Sequence, residues 1–445
     1  MTDTRLGPIG RGARIESLDV LRGVAALGIL LMNIPAMGLR WEWARPPLPA
    51  TLSLDWIAFS IQNVGAQGTM RGLFTLLFGA GMIVMLSRPD PTREAAAVQA
   101  YLTRCFALLL LGVANFAIFL WPGEILFNYG LVGLILLLFR KVDTRVLVVA
   151  AATALIVMTV SMSGQATERA NGLRLAEAAV VAKAAGKKPT EEQAKALEKR
   201  EEMVKKITSP EARAKERAER TAFPSIVAWS AKQWTDYNLS GDGAIGLLES
   251  LGFMLIGMIL FRIGVLTGER TTGFYGALTF CGLALGLLLR GGVEALRWRA
   301  GFLPNADVVI ASTLLYEAGR LAMTLGVLGF TMMLLKQNVL AALGRGLAAV
   351  GRMALTTYIG QSIITSILFY GLGFYDRFGF AQLMGVAALI WVAQITLSVL
   401  WLKRFEMGPA EWVLRSVTYG SWRSMKKPEA WPQSARGAQA VQEGS

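Results

Sequence analysis

Residues 14–33 read RIESLDVLRGVAALGILLMN, and this stretch decides the fold class. It is an apolar helix long enough to enter a bilayer, yet it contains Asp19, Arg22 and Asn33. At about 100° per residue, Arg22 and Asn33 lie within roughly 20° of each other, and Asp19 shares their face. Ionisable groups inside a membrane are costly unless they are paired or hydrated. The polar stripe therefore faces a bundle interior and predicts a site, the alternative being a topology anchor at the cytoplasmic end.

The composition extends this interpretation to the whole chain. Of 445 residues, 54% are hydrophobic and 17% are charged, and the mean hydropathy is +0.46. With repeated apolar runs near 20 residues, this composition predicts an all-α, polytopic membrane protein. The net charge of +14 (45 − 31) is then explained by Lys and Arg in cytoplasmic loops beside anionic lipid, and not by nucleic-acid binding.

The chain contains no histidine. This excludes a Ser–His–Asp triad, an HExxH zinc site and an imidazole proton relay. The two cysteines, Cys105 and Cys281, lie in separate apolar spans and predict neither a disulfide nor a metal site. Proton chemistry must therefore use carboxylates, Lys, Tyr, Cys or the substrate.

Ten membrane spans are predicted, and the first is expected to remain uncleaved because Arg22 interrupts a signal-peptide core. The spans are 20–39, 68–87, 99–121, 124–140, 144–163, 244–264, 272–290, 306–335, 352–373 and 382–402. Residues 55–64 are too short to span and are expected at the outer interface or in a re-entrant position. Short loops on the N-terminal side hold most Lys and Arg, which predicts a bacterial inner-membrane protein with both termini in the cytoplasm.

The spans divide the chain into four parts. These are an N-terminal membrane half (1–162), an extracytoplasmic charged helical insertion (163–242), a C-terminal membrane half (243–405) and a cytoplasmic interfacial helix with a disordered tail (406–445). The insertion is rich in Ala, Glu, Lys and Arg, and Pro189 predicts a break between two helices. A solvated helical extension is the expected role, with gating or ligand binding as the alternative.

The polar residues inside the spans form two groups by predicted depth. Asp19, Arg22 and Arg352 lie near the cytoplasmic face, whereas others, including Asn33, Arg71, Glu124 and Glu249, lie toward the outer face. Two side-chain contacts are also predicted. Glu317 and Arg320 have the spacing of a helical ion pair, and Gln361 and Gln394 share a depth near mid-membrane.

Three sequence blocks resemble the YeiB family of bacterial membrane proteins, catalogued as domain of unknown function 418. They are residues 14–33, FTLLFGAG (74–81) with LWPGEILFNY (120–129), and GRMALT (351–356) continuing through Gln361, Ser362 and Trp401 to GPAEWVLRSVTYG (408–420). The first span is also similar to that of heparan-α-glucosaminide N-acetyltransferase-like proteins. That resemblance implies transfer of an acyl group from cytosolic acyl-CoA to an acceptor on the outer side.

The sequence departs from the family pattern at the third-to-fourth loop. The family's Gly-x-x-His is Gly112-Val-Ala-Asn115 here, and Gly-Asp-Ile-Leu is Gly123-Glu124-Ile-Leu. Histidine-dependent acyl transfer is therefore out of reach, and enzyme status stays open.

Under the acyltransferase hypothesis, the donor would bind at Asp19, Arg22 and Arg352, with the arginines on its phosphates. A second group supplies the catalytic candidates: Asn33 would position the thioester carbonyl, and Glu124 or Glu249 would accept the acceptor's proton. No other cofactor and no metal are expected.

Two further hypotheses stay open. A transporter or exporter of a small polar or amphipathic solute would use the same stripe as a pathway, with Glu317 and Arg320 as a gating pair. A structural or lipid-organising role is the third. The expected partners are membrane lipids and a small-molecule substrate, a homodimer stays open, and nucleic acid is not expected.

Overall fold

The computed structural model describes residues 16–41, 44–87, 94–339, 341–422 and 424–427. Across these residues the backbone is helical without a β-strand, which confirms the all-α polytopic class. The helices are α1 (Glu16–Gly38), α2 (Leu54–Gly65), α3 (Thr69–Leu86), α4 (Glu94–Ala117), α5 (Leu126–Leu136), α6 (Thr144–Ala184), α7 (Glu191–Thr208), α8 (Pro210–Thr221), α9 (Phe223–Asn238), α10 (Gly241–Arg262), α11 (Thr272–Arg299), α12 (Ala306–Lys336), α13 (Ala341–Arg352), α14 (Ala354–Ser366), α15 (Phe380–Arg404) and α16 (Pro409–Tyr419). Residues 1–15, and residues 428–445 of the predicted interfacial helix and tail, lie outside the described residues.

Each of the ten predicted spans coincides with a helix, but not all of these helices are long and apolar enough to cross a membrane. Within the described ranges, eight segments are long and apolar enough to cross a membrane, with α2 and α3 counted together as Leu54–Leu86. The predicted ninth span, 352–373, is the second arm of a bent pair, because α13 precedes it and meets α14 at a bend of 82°; counting this pair as one span gives nine. The predicted fourth span is the shorter helix α5, whose apolar run ends at Phe139.

Helix α6 continues beyond the predicted end of the fifth span at residue 163. It has 41 residues, or roughly 60 Å at 1.5 Å per residue, which is about twice the hydrocarbon thickness of a bilayer. Residues 164–184 contain many strong helix formers and no proline, and Gly164 and Gly172 remain helical; Gly186, with a φ of 69°, ends the helical segment. The chain then turns and re-enters a helix at Glu191 behind a Thr190 capping box.

We call the end of the bundle that carries Glu16 the proximal end and the opposite end, which carries Gly38, the distal end. Helices α7 to α9 dock on the distal end. Arg220 of α8 is fully buried and donates to the carbonyl oxygens of Leu39 (2.8 Å), Ala36 (3.0 Å) and Met37 (3.1 Å). These carbonyls end α1, so the insertion supplies a cationic cap to the central helix.

Close contact between α3 and α10 organises the interior. A Cβ on Gly79 would lie 1.9 Å from the carbonyl oxygen of Met254, and one on Gly257 would lie 1.8 Å from that of Leu76. The two backbones therefore touch, as glycine permits where helices pack in membranes. This register also sets Arg71 of α3 beside a carboxylate of α10.

Candidate functional site

A cavity of about 270 Å³ opens among α1, α3, α4, α5, α13, α14 and α16. We call it the proximal cavity, because it lies beside the first turns of α1. Its apolar wall includes Leu77, Leu108, Leu126 and Leu414, together with aromatic rings. Its charged lining residues are Asp19, Arg22, Arg104, Arg352, Glu411 and Arg415. With four guanidinium groups and two carboxylates, the lining carries a formal charge of +2.

Successive residues of α3 show how the lining of the proximal cavity changes with depth. Near the proximal part of α3, the Arg22 guanidinium lies beside Gly81, with an Nη atom 3.6 Å from the position that a Cβ would take. Arg22 pairs with Asp19 at 3.3 Å, which confirms the pair expected from the i, i+3 spacing. One turn deeper, the Arg104 guanidinium lies 6.0 Å from the centre of the Phe78 ring. The positively charged side chains therefore lie at the mouth of the cavity, near the proximal end of the bundle.

The deep part of the cavity is aromatic and ends at Tyr129. The Tyr129 ring lies 6.1 Å from the Phe74 ring and 5.2 Å from the Phe78 ring. Its hydroxyl and that of Thr75 share a hydrogen bond of 2.5 Å. Tyr129 is 2% exposed, so the cavity narrows from a charged mouth to an apolar floor that carries one hydroxyl pair.

Behind this floor lies a buried chain of four charged residues, which we call the ion chain. Glu249 Oε1 accepts hydrogen bonds from both Arg71 and Arg320, and Arg320 also donates to Glu317 at 2.6 Å. The Arg320 guanidinium lies 4.2 Å from the centre of the Phe253 ring. The pair predicted at 317 and 320 is confirmed, but it belongs to a network that joins α3, α10 and α12. With two cations and two anions, the ion chain is formally neutral.

The break between α13 and α14 forms the proximal wall of the cavity. A Cβ on Gly351 would lie 1.7 Å from the carbonyl oxygen of Asp19, so α13 packs directly on α1. Glu411 of α16 accepts hydrogen bonds from the N–H groups of Leu355 (2.6 Å) and Thr356 (3.1 Å) and from the Thr356 hydroxyl (2.5 Å). This carboxylate caps the new helix start that the break creates.

The electrostatics of Glu411 follow from its position. Burial raises the pKa of this carboxyl above its ordinary value, while the hydrogen bonds from Thr356 and Leu355 act in the opposite direction. Nearby, Arg352 donates to the carbonyl oxygen of Glu406 at 3.0 Å. Helix α16 is thus fixed to the bundle on the cavity side.

The structure brings together one of the two predicted groups of site residues. Asp19, Arg22 and Arg352, predicted as donor-binding residues, all line the proximal cavity. Asn33, Glu124 and Glu249, predicted as catalytic, are not among the lining residues. Asn33 lies eleven residues beyond Arg22 on α1, about 16 Å along the axis, and is half-buried.

The Glu124 carboxylate accepts three hydrogen bonds. Oε2 accepts from the N–H groups of Leu126 (2.6 Å) and Phe127 (3.1 Å), and Oε1 accepts from Trp234 Nε1 (3.0 Å). Glu124 therefore caps α5 and ties it to α9 of the insertion. Asn115, at the position of the family's histidine, is fully buried, and its side-chain atoms have no hydrogen-bond partner among the described residues.

Sequence reasoning did not identify Arg104, Arg415 or Tyr129 as residues of this site. Arg104 sits inside the apolar run of α4, and an arginine in such a run was the available signal. Arg415 was assigned only to an interfacial helix, and Tyr129 only to a family motif. Their convergence depends on how α4, α5 and α16 pack, which local spacing does not contain.

Comparison with known proteins gives relatives along nearly the whole chain. A family model described as "Protein of unknown function (DUF418)" matches residues 260–421. The chain is 28% identical to the uncharacterized protein YxaH of Bacillus subtilis (strain 168), over 95% of this chain and 98% of the relative. It is 29% identical to the uncharacterized protein YeiB of Escherichia coli (strain K12), over 91% of this chain and 96% of the relative. An uncharacterized 39.9 kDa protein in the amylase 3′ region of Bacillus acidopullulyticus is 24% identical, over 93% and 96%. The chain is thus similar over nearly its whole length to YeiB and YxaH, and residues 260–421 match the DUF418 family model.

Proposed function

We propose that this membrane protein binds an acyl donor bearing phosphate, of the acyl-CoA type, in the proximal cavity and passes the acyl group to an acceptor on the distal side. The proposal rests on one observation: a single cavity has arginine side chains at its mouth and aromatic and apolar side chains at its floor. Arginine binds phosphate in a bidentate manner, and an apolar shaft suits an acyl chain. The resemblance to transmembrane acetyltransferases supports the same assignment.

The size of the cavity suggests which part of the donor it takes. About 270 Å³ is slightly below the usual range of small-molecule sites, so the cavity suits the acyl and thioester part of a donor. We expect the phosphates to lie at the mouth beside Arg22, Arg104 and Arg352. The nucleotide part would then remain outside in solvent.

The chemistry of transfer requires a proton acceptor that is not histidine. In the proposed reaction the thioester C–S bond breaks, a C–O or C–N bond to the acceptor forms, and the acceptor loses a proton. Glu249 is engaged by two arginines and Glu124 by three donors, so neither is poised as a base in this conformation. We therefore assign the acceptor's proton to the departing thiolate.

We propose that the proximal end faces the cytoplasm. Among the described residues, short loops at this end carry Arg140, Lys141, Arg145, Arg262 and Arg270. An excess of Lys and Arg in short loops marks the cytoplasmic side. In a bacterial inner membrane, the cavity would then open toward the pool of acyl-CoA.

The test is a calorimetric titration of the purified full chain with palmitoyl-CoA, CoA and palmitate. Arg104 has no carboxylate partner within the described residues, so Arg104→Gln removes a cavity charge without stranding a carboxylate. We expect this variant to weaken palmitoyl-CoA binding by about 10-fold or more, the value of a charged hydrogen bond. The matched control is Arg145→Gln, an exposed arginine at the proximal start of α6. Wild-type protein that binds no acyl-CoA, or equal affinity in the two variants, contradicts the proposal.

Transport of an amphipathic anion is the second candidate, and two observations favour it. The ion chain continues the line of polar groups beyond the cavity floor, and the bent α13–α14 pair has the form of a discontinuous helix. In proteoliposomes, transport predicts uptake of the bound amphiphile that falls in Glu317→Gln. Uptake that is unchanged in this variant excludes a coupling role for the ion chain.

A further inference from the structure

A second cavity, of about 40 Å³, lies between α2, α11 and α12, and we call it the α11 cavity. It is separate from the proximal cavity and shares none of its lining residues. Its lining residues are Asn63, Val64, Arg290, Val293, Arg297, Ser312, Leu315 and Tyr316. Arg290 and Arg297, both on α11, therefore place two positive charges beside a small cavity.

Arg290 is 8% exposed, yet most of its guanidinium has no partner. One Nη atom donates to the carbonyl oxygen of Asn63, near the end of α2. Its Nε and its other Nη are buried and have no hydrogen-bond partner within the described part of the chain. A buried donor without an acceptor costs about 1–3 kcal/mol, and more when it is charged. A guanidinium in this state indicates that an acceptor belongs beside it.

The surrounding charges do not balance Arg290. Arg297 donates to Glu294 at 3.3 Å, and Arg290 and Arg320 lie 5.7 and 5.6 Å from the centre of the same Tyr316 ring. Together with the ion chain, the cluster contains four guanidinium groups and three carboxylates, which leaves one positive charge. The guanidinium groups are those of Arg71, Arg290, Arg297 and Arg320, and the carboxylates are those of Glu249, Glu294 and Glu317.

Neither the C-terminal end of α2 nor water in the cavity cancels this remaining positive charge. The C-terminal end of α2 places about half a negative charge near Arg290, so roughly half a positive charge remains. Water in the cavity would satisfy N–H groups but would not supply charge. Buried charges in proteins are normally paired, and an anion is the species that completes this set.

We propose that the α11 cavity binds one small monovalent anion, either a halide ion or the carboxylate group of a small organic acid. The volume of about 40 Å³ exceeds the roughly 10–15 Å³ that one water molecule requires, so the cavity has room for a halide ion or a carboxylate group. Arg290 supplies the unpartnered N–H groups, and Arg297 and Ser312 complete the polar lining. This site goes beyond the proposed donor site.

The experiment is thermal unfolding of the purified full chain in sodium chloride, sodium formate and sodium methanesulfonate at one sodium concentration. Methanesulfonate, the bulkiest of the three anions, controls for ionic strength. We expect chloride, formate or both to raise the unfolding midpoint of the wild type by about 3 °C or more over methanesulfonate. A response to chloride alone identifies a halide site, and a response to formate identifies a carboxylate site. The anion-dependent rise should disappear in Arg290→Gln and persist in Arg299→Gln, an exposed arginine on the same helix.

A crystallographic measurement on the wild type does not depend on whether Arg290→Gln folds. Crystals soaked in bromide should show an anomalous peak beside Arg290, within hydrogen-bond distance of its Nε or free Nη. Equal midpoints in all three salts with no bromide peak would overturn the proposal, and so would an anion response that Arg290→Gln retains.

Discussion

At the scale of single residues, Glu249 is the carboxylate on which most buried charge converges. It accepts hydrogen bonds from Arg71 of α3 and Arg320 of α12, while Glu317 contacts Arg320 alone. Removing one partner of a buried ion pair leaves the other charge without compensation, which typically costs 3–5 kcal/mol. The two glutamates therefore have unequal importance, although they carry the same charge.

We expect Glu249→Gln to lower the thermal unfolding midpoint more than Glu317→Gln does. The first substitution leaves two arginines with one remaining carboxylate, whereas the second leaves Arg320 paired with Glu249. The measurement is the unfolding midpoint of each variant in the same detergent and salt. An equal or smaller loss in Glu249→Gln is incompatible with the ion chain as described.

At the scale of elements, the packing of α13 against α1 determines the shape of the proximal cavity. Gly351 contacts the backbone of Asp19, and a Cβ on Gly23 would lie 2.0 Å from the carbonyl oxygen of Leu347. Both contacts are between backbones, so no side-chain rotation can relieve an added methyl group. This contact places Arg352 beside Asp19 at the cavity.

We expect Gly351→Ala to destabilise the protein by about 1–3 kcal/mol, the usual cost of overpacking. It should also weaken acyl-CoA binding, because Asp19 and Arg352 must separate to admit the methyl group. The matched control is Gly385→Ala on α15, where nothing lies within 4 Å of an added Cβ and helix propensity favours alanine. Similar unfolding midpoints in the two variants would show that α13 does not pack on α1 in this way.

At the scale of the whole molecule, the two ends of the bundle differ in construction. The proximal end holds the cavity and α16, whereas the distal end is covered by the insertion. Besides Arg220, the insertion contributes Arg213, which donates to both carboxylate oxygens of Asp376 at 2.6 and 2.7 Å. Such bidentate pairs fix orientation, so we expect the insertion to stay docked over the distal end.

The proposed orientation predicts which end is accessible from outside the cell. A membrane-impermeant maleimide applied to intact cells should label Lys199→Cys on exposed α7 and leave Arg145→Cys unlabelled. Lysed cells should label both. The native Cys105 is buried, and Cys281 lies within the apolar helix α11, so neither should react strongly. Labelling of Arg145→Cys in intact cells would reverse the orientation.

The sequence predicted those features that depend on helical spacing or on apolar length. The fold class and the Asp19–Arg22 pair are of this kind. The expected contact of Gln361 with Gln394 is also confirmed, at 3.1 Å, because both residues sit at one depth on buried helix faces.

Other features depend on which helices become neighbours, and spacing could not supply them. Glu249 meets Arg71 because glycines let α3 and α10 touch, and Arg104 reaches the cavity only when α4 packs beside α3. Helix α13, before the break at Met353, was not predicted because the span was drawn only from residue 352, and the capping carboxylate, Glu411, comes from a distant helix.

In the proposed function, the proximal cavity holds an acyl donor by its phosphates and its acyl chain. The decisive measurement is a cryo-electron microscopy map of the full chain with a non-hydrolysable thioether analogue of palmitoyl-CoA. We expect density for the acyl chain between Phe78 and Tyr129, with phosphate density beside Arg22, Arg104 and Arg352. An empty proximal cavity in a map that shows the analogue bound elsewhere would contradict it.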